Sequence, residues 1–136
     1  MRDINRVFLV GRLGKDPEIR LTAASKLVAT LSLATNRPVR EGEGWGEVTD
    51  WHRIVLFEWA AKRAQTHLHK GDPVAVEGHL RYRRWKDDSG RDRWTTEIVA
   101  KELNVFPRGT VAPGAAPVVV TPHAEPPAEQ TDDIPF

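Results

Sequence analysis

The chain has 136 residues, 29% of them charged, a formal net charge of +1 and no cysteine. That length fits one domain and a tail. The missing thiols exclude disulfides and zinc–thiolate sites and fit a reducing compartment. All 20 Lys and Arg and 15 of the 19 acids lie within residues 1–108, so that body carries +5 and residues 109–136 carry −4. A basic body suggests a polyanionic partner. No apolar run approaches the length of a membrane span, and Met1-Arg2-Asp3 does not open a signal peptide, so a soluble cytoplasmic domain is expected.

Taken in chain order, the body reads as β-rich. Arg6 to Leu13 contains the apolar run Val7-Phe8-Leu9-Val10, closed by Gly11 and Gly14 and followed by the breaker Asp16-Pro17. Leu27 to Thr35 predicts a second strand, Val48 to Phe57 a third and Val74 to Lys86 a long fourth. Trp94 to Phe106 supplies the last strand or strands. Glu41 to Gly46 reads as a Gly-rich loop. The one helical segment, Trp59 to His69, falls between the third and fourth strands. Ala60, Ala61, Ala64 and Leu68 recur there at helical spacing, and Gly71 stands as its stop. Short strands, one helix and glycines at the bends predict a small closed barrel.

Alternation turns this pattern into chemistry. On the third strand Trp51, Arg53, Val55 and Phe57 share one face, while His52, Ile54 and Leu56 share the other. Ile54 and Leu56 are the natural core side, which leaves a Trp, an Arg and a Phe where burial does not explain them. On the fourth strand His79, Arg81, Arg83 and Trp85 fall together, opposite Leu80 and Tyr82. The turn Asp87-Asp88-Ser89-Gly90 leads on to Arg91, Arg93 and Trp94. A lone Trp is ordinarily a packing anchor, but aromatics sharing parity with guanidinium groups on two strands suit an unpaired nucleic-acid strand. Rings stack on bases for roughly 1–3 kcal/mol each, and cations follow the phosphates. No helix is a candidate for reading duplex base edges. Arg84, Lys86, Trp94 and Trp45 are further candidate contacts. His67 and His69 have poor ligand spacing on a helix, so no metal is expected.

The segment after residue 108 is read separately. Gly109 to Pro127 has no Lys or Arg, no amphipathic period and a Pro every few residues, a composition that predicts a disordered linker over 109–131. It ends in Asp132-Asp133-Ile134-Pro135-Phe136, an acidic apolar tip suited to a basic-rimmed pocket on another protein.

These residues together resemble the bacterial single-stranded DNA-binding proteins of the homotetrameric OB-fold type. The resemblance is carried by Asn5-Arg6-Val7-Phe8-Leu9-Val10-Gly11, Leu13-Gly14, Asp16-Pro17-Glu18 and the run Thr49-Asp50-Trp51-His52-Arg53-Ile54-Val55-Leu56-Phe57. Lys70-Gly71, Val76-Glu77-Gly78, Arg84-Trp85, Ser89-Gly90, Thr95-Thr96-Glu97 and the terminal Asp132 to Phe136 complete it. It implies an all-β, five-stranded OB-fold barrel over 1–108, with one short helix between strands three and four and a disordered C-terminal tail. It implies base stacking by Trp51, Phe57 and Trp85, a subunit contact at His52, and a homotetramer that pairs through its first strand. The implied activity is coating and protection of single-stranded DNA without catalysis or cofactor. The tip, with Phe136 as anchor, would recruit replication, repair and recombination enzymes at the nucleoid.

Three departures stand out. Val39 occupies a position where the family often has another stacking Trp, which raises Trp45 as its replacement. Ala23-Ala24-Ser25-Lys26 replaces the usual Asn-Gly-Gly turn, so a looser or longer hairpin is expected there. The linker is short and rich in Pro and Ala, which predicts modest reach. Two other readings compete: a protein-interaction adaptor on an OB scaffold, such as a primosomal replication protein, and a hydrolase using Asp50 and His52. The acidic tip argues against the first. The second lacks a nucleophile in a strained turn or a phosphate-cradling Gly loop.

Overall fold

The computed structural model describes residues 1–106. The linker at 109–131 and the tip at 132–136 lie outside the described residues. Six strands and one helix run in the order β1 (Val7–Leu13), β2 (Glu18–Leu21), β3 (Leu27–Glu41), β4 (Gly44–Phe57), α1 (Trp59–His67), β5 (Pro73–Lys86) and β6 (Asp92–Val105). Five of them close a circuit, β1–β3–β4–β6–β5–β1, while β2 pairs only with β3. The expected five-stranded barrel with a single helix before the fourth long strand is the fold observed.

All pairings are antiparallel except β4–β6, whose parallel contact is limited to Ile54↔Ile98 and Val55↔Val99. Closure needs backbone to approach backbone at two glycines. A Cβ on Gly11 would stand 2.2 Å from the Ala34 carbonyl oxygen, and one on Gly78 would stand 2.0 Å from that of Val99. Gly78 also marks the irregularity in the β5–β6 ladder, between Glu77 and Gly78, where the long strand bends round the barrel.

Alternate residues fill the interior: Leu13, Leu31, Leu33, Ile54, Leu56, Val74, Val76, Ile98 and Leu103. The helix closes the barrel with Ala60, Ala61 and Ala64, small side chains that let it lie close, and Leu68 joins the core just beyond its end. It stops at His67, two residues before the expected end, because Leu68 is already extended. Gly71 is therefore not the helix cap. Its positive φ of 89° serves the turn into β5, where its N–H donates to the Leu13 carbonyl at 2.8 Å.

Two elements differ from expectation. The β3–β4 hairpin is longer than predicted, since Asn36 to Glu41 pairs with Gly44 to Thr49, leaving Gly42 and Glu43 as the turn. Pro38 is tolerated because this end of the pair is a two-stranded ribbon with free edges. The turn at Thr22 to Lys26 is tight rather than loose. Thr22 and Lys26 pair at 2.9 Å, and Ser25 takes a left-handed φ of 59° where glycine would cost less.

Candidate nucleic-acid interface

The order β5–β6–β4 places three strands side by side, and register sets which side chains share their outer surface. From β4 come Trp51, Arg53, Val55 and Phe57. From β5 come His79, Arg81, Arg83 and Trp85, paired across to Val99, Glu97, Thr95 and Arg93 on β6. The parity expected from sequence is the one observed, with one exception in exposure. Val55 is buried at 3%, because it stands between Thr30 on β3 and Val99 on β6.

At the centre of this surface lies a residue that sequence reasoning matched but gave no role. The Glu97 side chain is 1% exposed and receives three arginines. Arg81 donates to its Oε1 from both Nε, at 3.0 Å, and Nη2. Arg53 Nε approaches Oε2 at 3.5 Å from β4, and Arg83 Nε approaches Oε1 at 3.5 Å from further along β5. The signal was present in the alternation, since Arg93, Thr95 and Glu97 share the parity of Arg81 and Arg83 across a predicted hairpin. Arg81 also lies over the Phe57 ring, its Cζ 5.7 Å from the centroid.

The aromatic side chains differ in how they are held. Trp85 is fixed by donation from its indole N–H to Thr95 Oγ1 at 2.8 Å, with much of the ring still open to solvent. Phe57 is open to a similar degree. Trp51 is half-buried, and its six-membered ring rests on Gly14 so closely that a Cβ there would meet it at 2.2 Å. Its indole N–H is buried without an acceptor.

The secondary candidates divide between faces. Arg84, Lys86 and Trp94 belong to the opposite side of the β5–β6 ribbon, with Leu80 and Tyr82; Arg84 pairs across to Trp94 and Lys86 to Asp92. They do not join Trp85 and Arg83. Trp45 pairs with Arg40, whose guanidinium lies 5.5 Å from its ring centroid, near the tip of the β3–β4 ribbon. It shares parity with Trp51 and lies across the ribbon from Val39, which pairs with Gly46. Trp45 thus has the parity of Trp51, and Val39 the opposite one.

The β5–β6 turn is organised by Asp87. It accepts from the backbone N–H of Ser89 at 2.9 Å and of Arg91 at 3.0 Å, and from Arg93 Nε at 3.0 Å. Donation from Arg91, then from Arg93, holds its carboxyl below the usual value of 3.8. On the other face of β4, His52 Nε2 is 2.8 Å from Thr35 Oγ1, and burial pushes its imidazole below 6.5 against the opposing pull of Asp50. Asp50 itself accepts from Arg37 Nε at 2.7 Å. Asp50 and His52 are thus engaged with Arg37 and Thr35 of the neighbouring strand. Among the described residues no group of three or more His, Asp or Glu is placed to hold a metal ion, and no helix is long and apolar enough to cross a membrane.

A second exposed surface is apolar. Phe8 and Val10, on one face of β1, are 66% and 67% exposed. Asn5, just before β1, anchors the chain to β5, donating to the Leu80 carbonyl and accepting from its N–H, both at 2.9 Å.

Two comparisons bear on what this barrel is. A solved structure described as Plasmodium falciparum SSB in complex with ssDNA superposes with a TM-score of 0.71 at 32% identity, covering 79% of this chain and 98% of that one. The sequence model of the Single-strand binding protein family matches residues 4–106, the whole of the barrel with its helix and both ribbons. On that match the chain belongs to the single-strand binding protein family.

Proposed function

We propose that the chain binds single-stranded DNA without sequence preference, coating and protecting it and performing no catalysis. The observation that carries this reading is the surface of β5, β6 and β4, where Phe57, Trp85 and Trp51 interleave with Arg53, Arg81 and Arg83. Rings of this kind accept any base, because every base has a π face, and phosphate contacts carry no sequence information. Trp45 with Arg40 extends the path along the β3–β4 ribbon. Trp94, Arg84 and Lys86 offer contacts on the far side of the β5–β6 ribbon. Titration of oligo-dT against intrinsic Trp fluorescence tests the reading. Saturable quenching that weakens with salt is expected, and a folded protein that shows neither quenching nor binding overturns it.

The exposed Phe8 and Val10 support assembly into a homotetramer through β1, with His52 at a subunit contact. Asp132, Asp133, Ile134, Pro135 and Phe136 would recruit replication, repair and recombination enzymes in the cytoplasm. Deleting those five residues should leave DNA binding intact or slightly tighter and abolish capture of such enzymes. Unchanged capture by the truncated chain would refute the role of the tip.

A further inference from the structure

Glu97 presents an electrostatic contradiction on a surface proposed to hold phosphates. A carboxylate there repels the ligand, and burying it is costly unless it is fully paired. Three guanidinium groups converging on one surface also repel each other, and each long side chain resists being fixed. The arrangement resolves both problems at once. Glu97 stands on the middle strand, between Arg53 on β4 and Arg81 and Arg83 on β5, within ionic reach of all three. Arg81 grips it with two nitrogens while lying over Phe57. The position of a cation over a proposed stacking ring is therefore set by a buried acid on the neighbouring strand.

We propose that Glu97 is a positioning residue for strand binding, holding Arg53, Arg81 and Arg83 in the arrangement that meets a single strand. It acts through the arginines and does not itself touch DNA. The proposal rests on the strand-binding reading above, and its consequences run against simple charge counting. Glu97→Gln removes one negative charge from the binding surface while keeping the side chain's shape. Charge alone would then tighten binding. If positioning governs, binding weakens although the surface has become more positive.

The test is equilibrium binding of oligo-dT to the full chain across a salt series, for wild type, Glu97→Gln and Arg81→Lys, with folding checked by circular dichroism. For Glu97→Gln, affinity about tenfold weaker at moderate salt is expected, the worth of one charged hydrogen bond. The salt dependence should steepen at the same time, by up to about 0.7 in slope for one further phosphate neutralised. Arg81→Lys keeps the charge but loses the two-nitrogen grip, and should also bind several-fold more weakly. Tighter binding by Glu97→Gln overturns the proposal. So does unchanged affinity and slope in a less stable Glu97→Gln, which would make the residue merely structural. If Glu97→Gln does not fold, Arg81→Lys decides, and wild-type affinity in that variant overturns the proposal. Wild-type protein that fails to bind oligo-dT removes the strand-binding reading itself, a result distinguishable from all of these.

Discussion

Gly14→Ala is expected to weaken strand binding although Gly14 is not itself a stacking or charged residue. The new Cβ would stand 2.2 Å and 2.5 Å from two carbons of the Trp51 six-membered ring. Ordinary carbon contact lies near 3.5–4.0 Å, so the ring must move by roughly 1.3 Å or more. Gly14 is also held in place, its N–H donating to the Ser32 carbonyl at 3.0 Å, so the indole and not the backbone gives way. Overpacking of this size costs about 1–3 kcal/mol of stability, which in a domain of about 100 residues lowers Tm by roughly 4–8 °C per kcal/mol. Affinity should fall by as much as one stacking contact, about fivefold to 150-fold. The assay is a double-mutant cycle with Trp51→Ala, reading oligo-dT affinity and Tm together. In the Trp51→Ala background Gly14→Ala should cost almost nothing by either measure. A loss of affinity that persists without the indole would refute the reasoning, because the glycine would then act by some route other than the ring.

Other predictions concern pH and the barrel itself. Because the folded pKa of His52 lies below 6.5, its contribution to stability is complete above that value. It is lost as pH falls through the folded pKa. Urea titrations between pH 8 and pH 5 should show stability falling with acid, and His52→Gln should flatten that slope; an unchanged slope would assign it elsewhere. Asp87 is likewise depressed, so the order it gives the β5–β6 turn should persist down to its ordinary value of 3.8 and fail only as pH drops further, through the folded pKa. Asp87→Asn should loosen the turn at neutral pH, seen as faster amide exchange at Ser89 and Arg91, and protection equal to wild type would contradict this. Gly78→Ala should be far more damaging than Gly14→Ala, since its Cβ meets the Val99 carbonyl oxygen at 2.0 Å and backbone cannot step aside. A cost of about 3 kcal/mol or more is expected by thermal melt, beyond ordinary overpacking, and a wild-type Tm would refute the closure described here.

Much of this architecture is legible in the sequence, for physical reasons that also mark where it fails. Ile54 and Leu56 alternate with Arg53 and Phe57 on a strand with one side on the core, so parity alone assigns their faces. Parity gives the face of Val55 but not its burial, which comes from Thr30 and Val99 on the neighbouring strands. The β2 strand was missed because Glu-Ile-Arg-Leu is short, charged and follows a breaker. The ribbon ends of β3 and β4 were missed because Pro38 and three nearby glycines speak for a loop, and only pairing in two strands overrides them. Trp94, Arg84 and Lys86 are further candidate contacts whose side of the ribbon only the β5–β6 register fixes, opposite Trp85. The role of Glu97 needed three dimensions. Its partners come from two other strands, and only the β5–β6–β4 order shows that one carboxylate lies within reach of all three arginines.

The most direct test of the account is oligo-dT titration of the Trp51→Ala, Trp85→Ala double variant beside wild type, followed by the fluorescence of the remaining tryptophans and by anisotropy of labelled DNA. The account predicts a folded variant whose affinity falls by about two stacking contacts, roughly 2–6 kcal/mol if they add. Salt dependence should be nearly unchanged, because the arginines remain. Wild-type affinity in a well-folded double variant would contradict it, and would mean that strand binding, if present, uses a surface other than that of β5, β6 and β4.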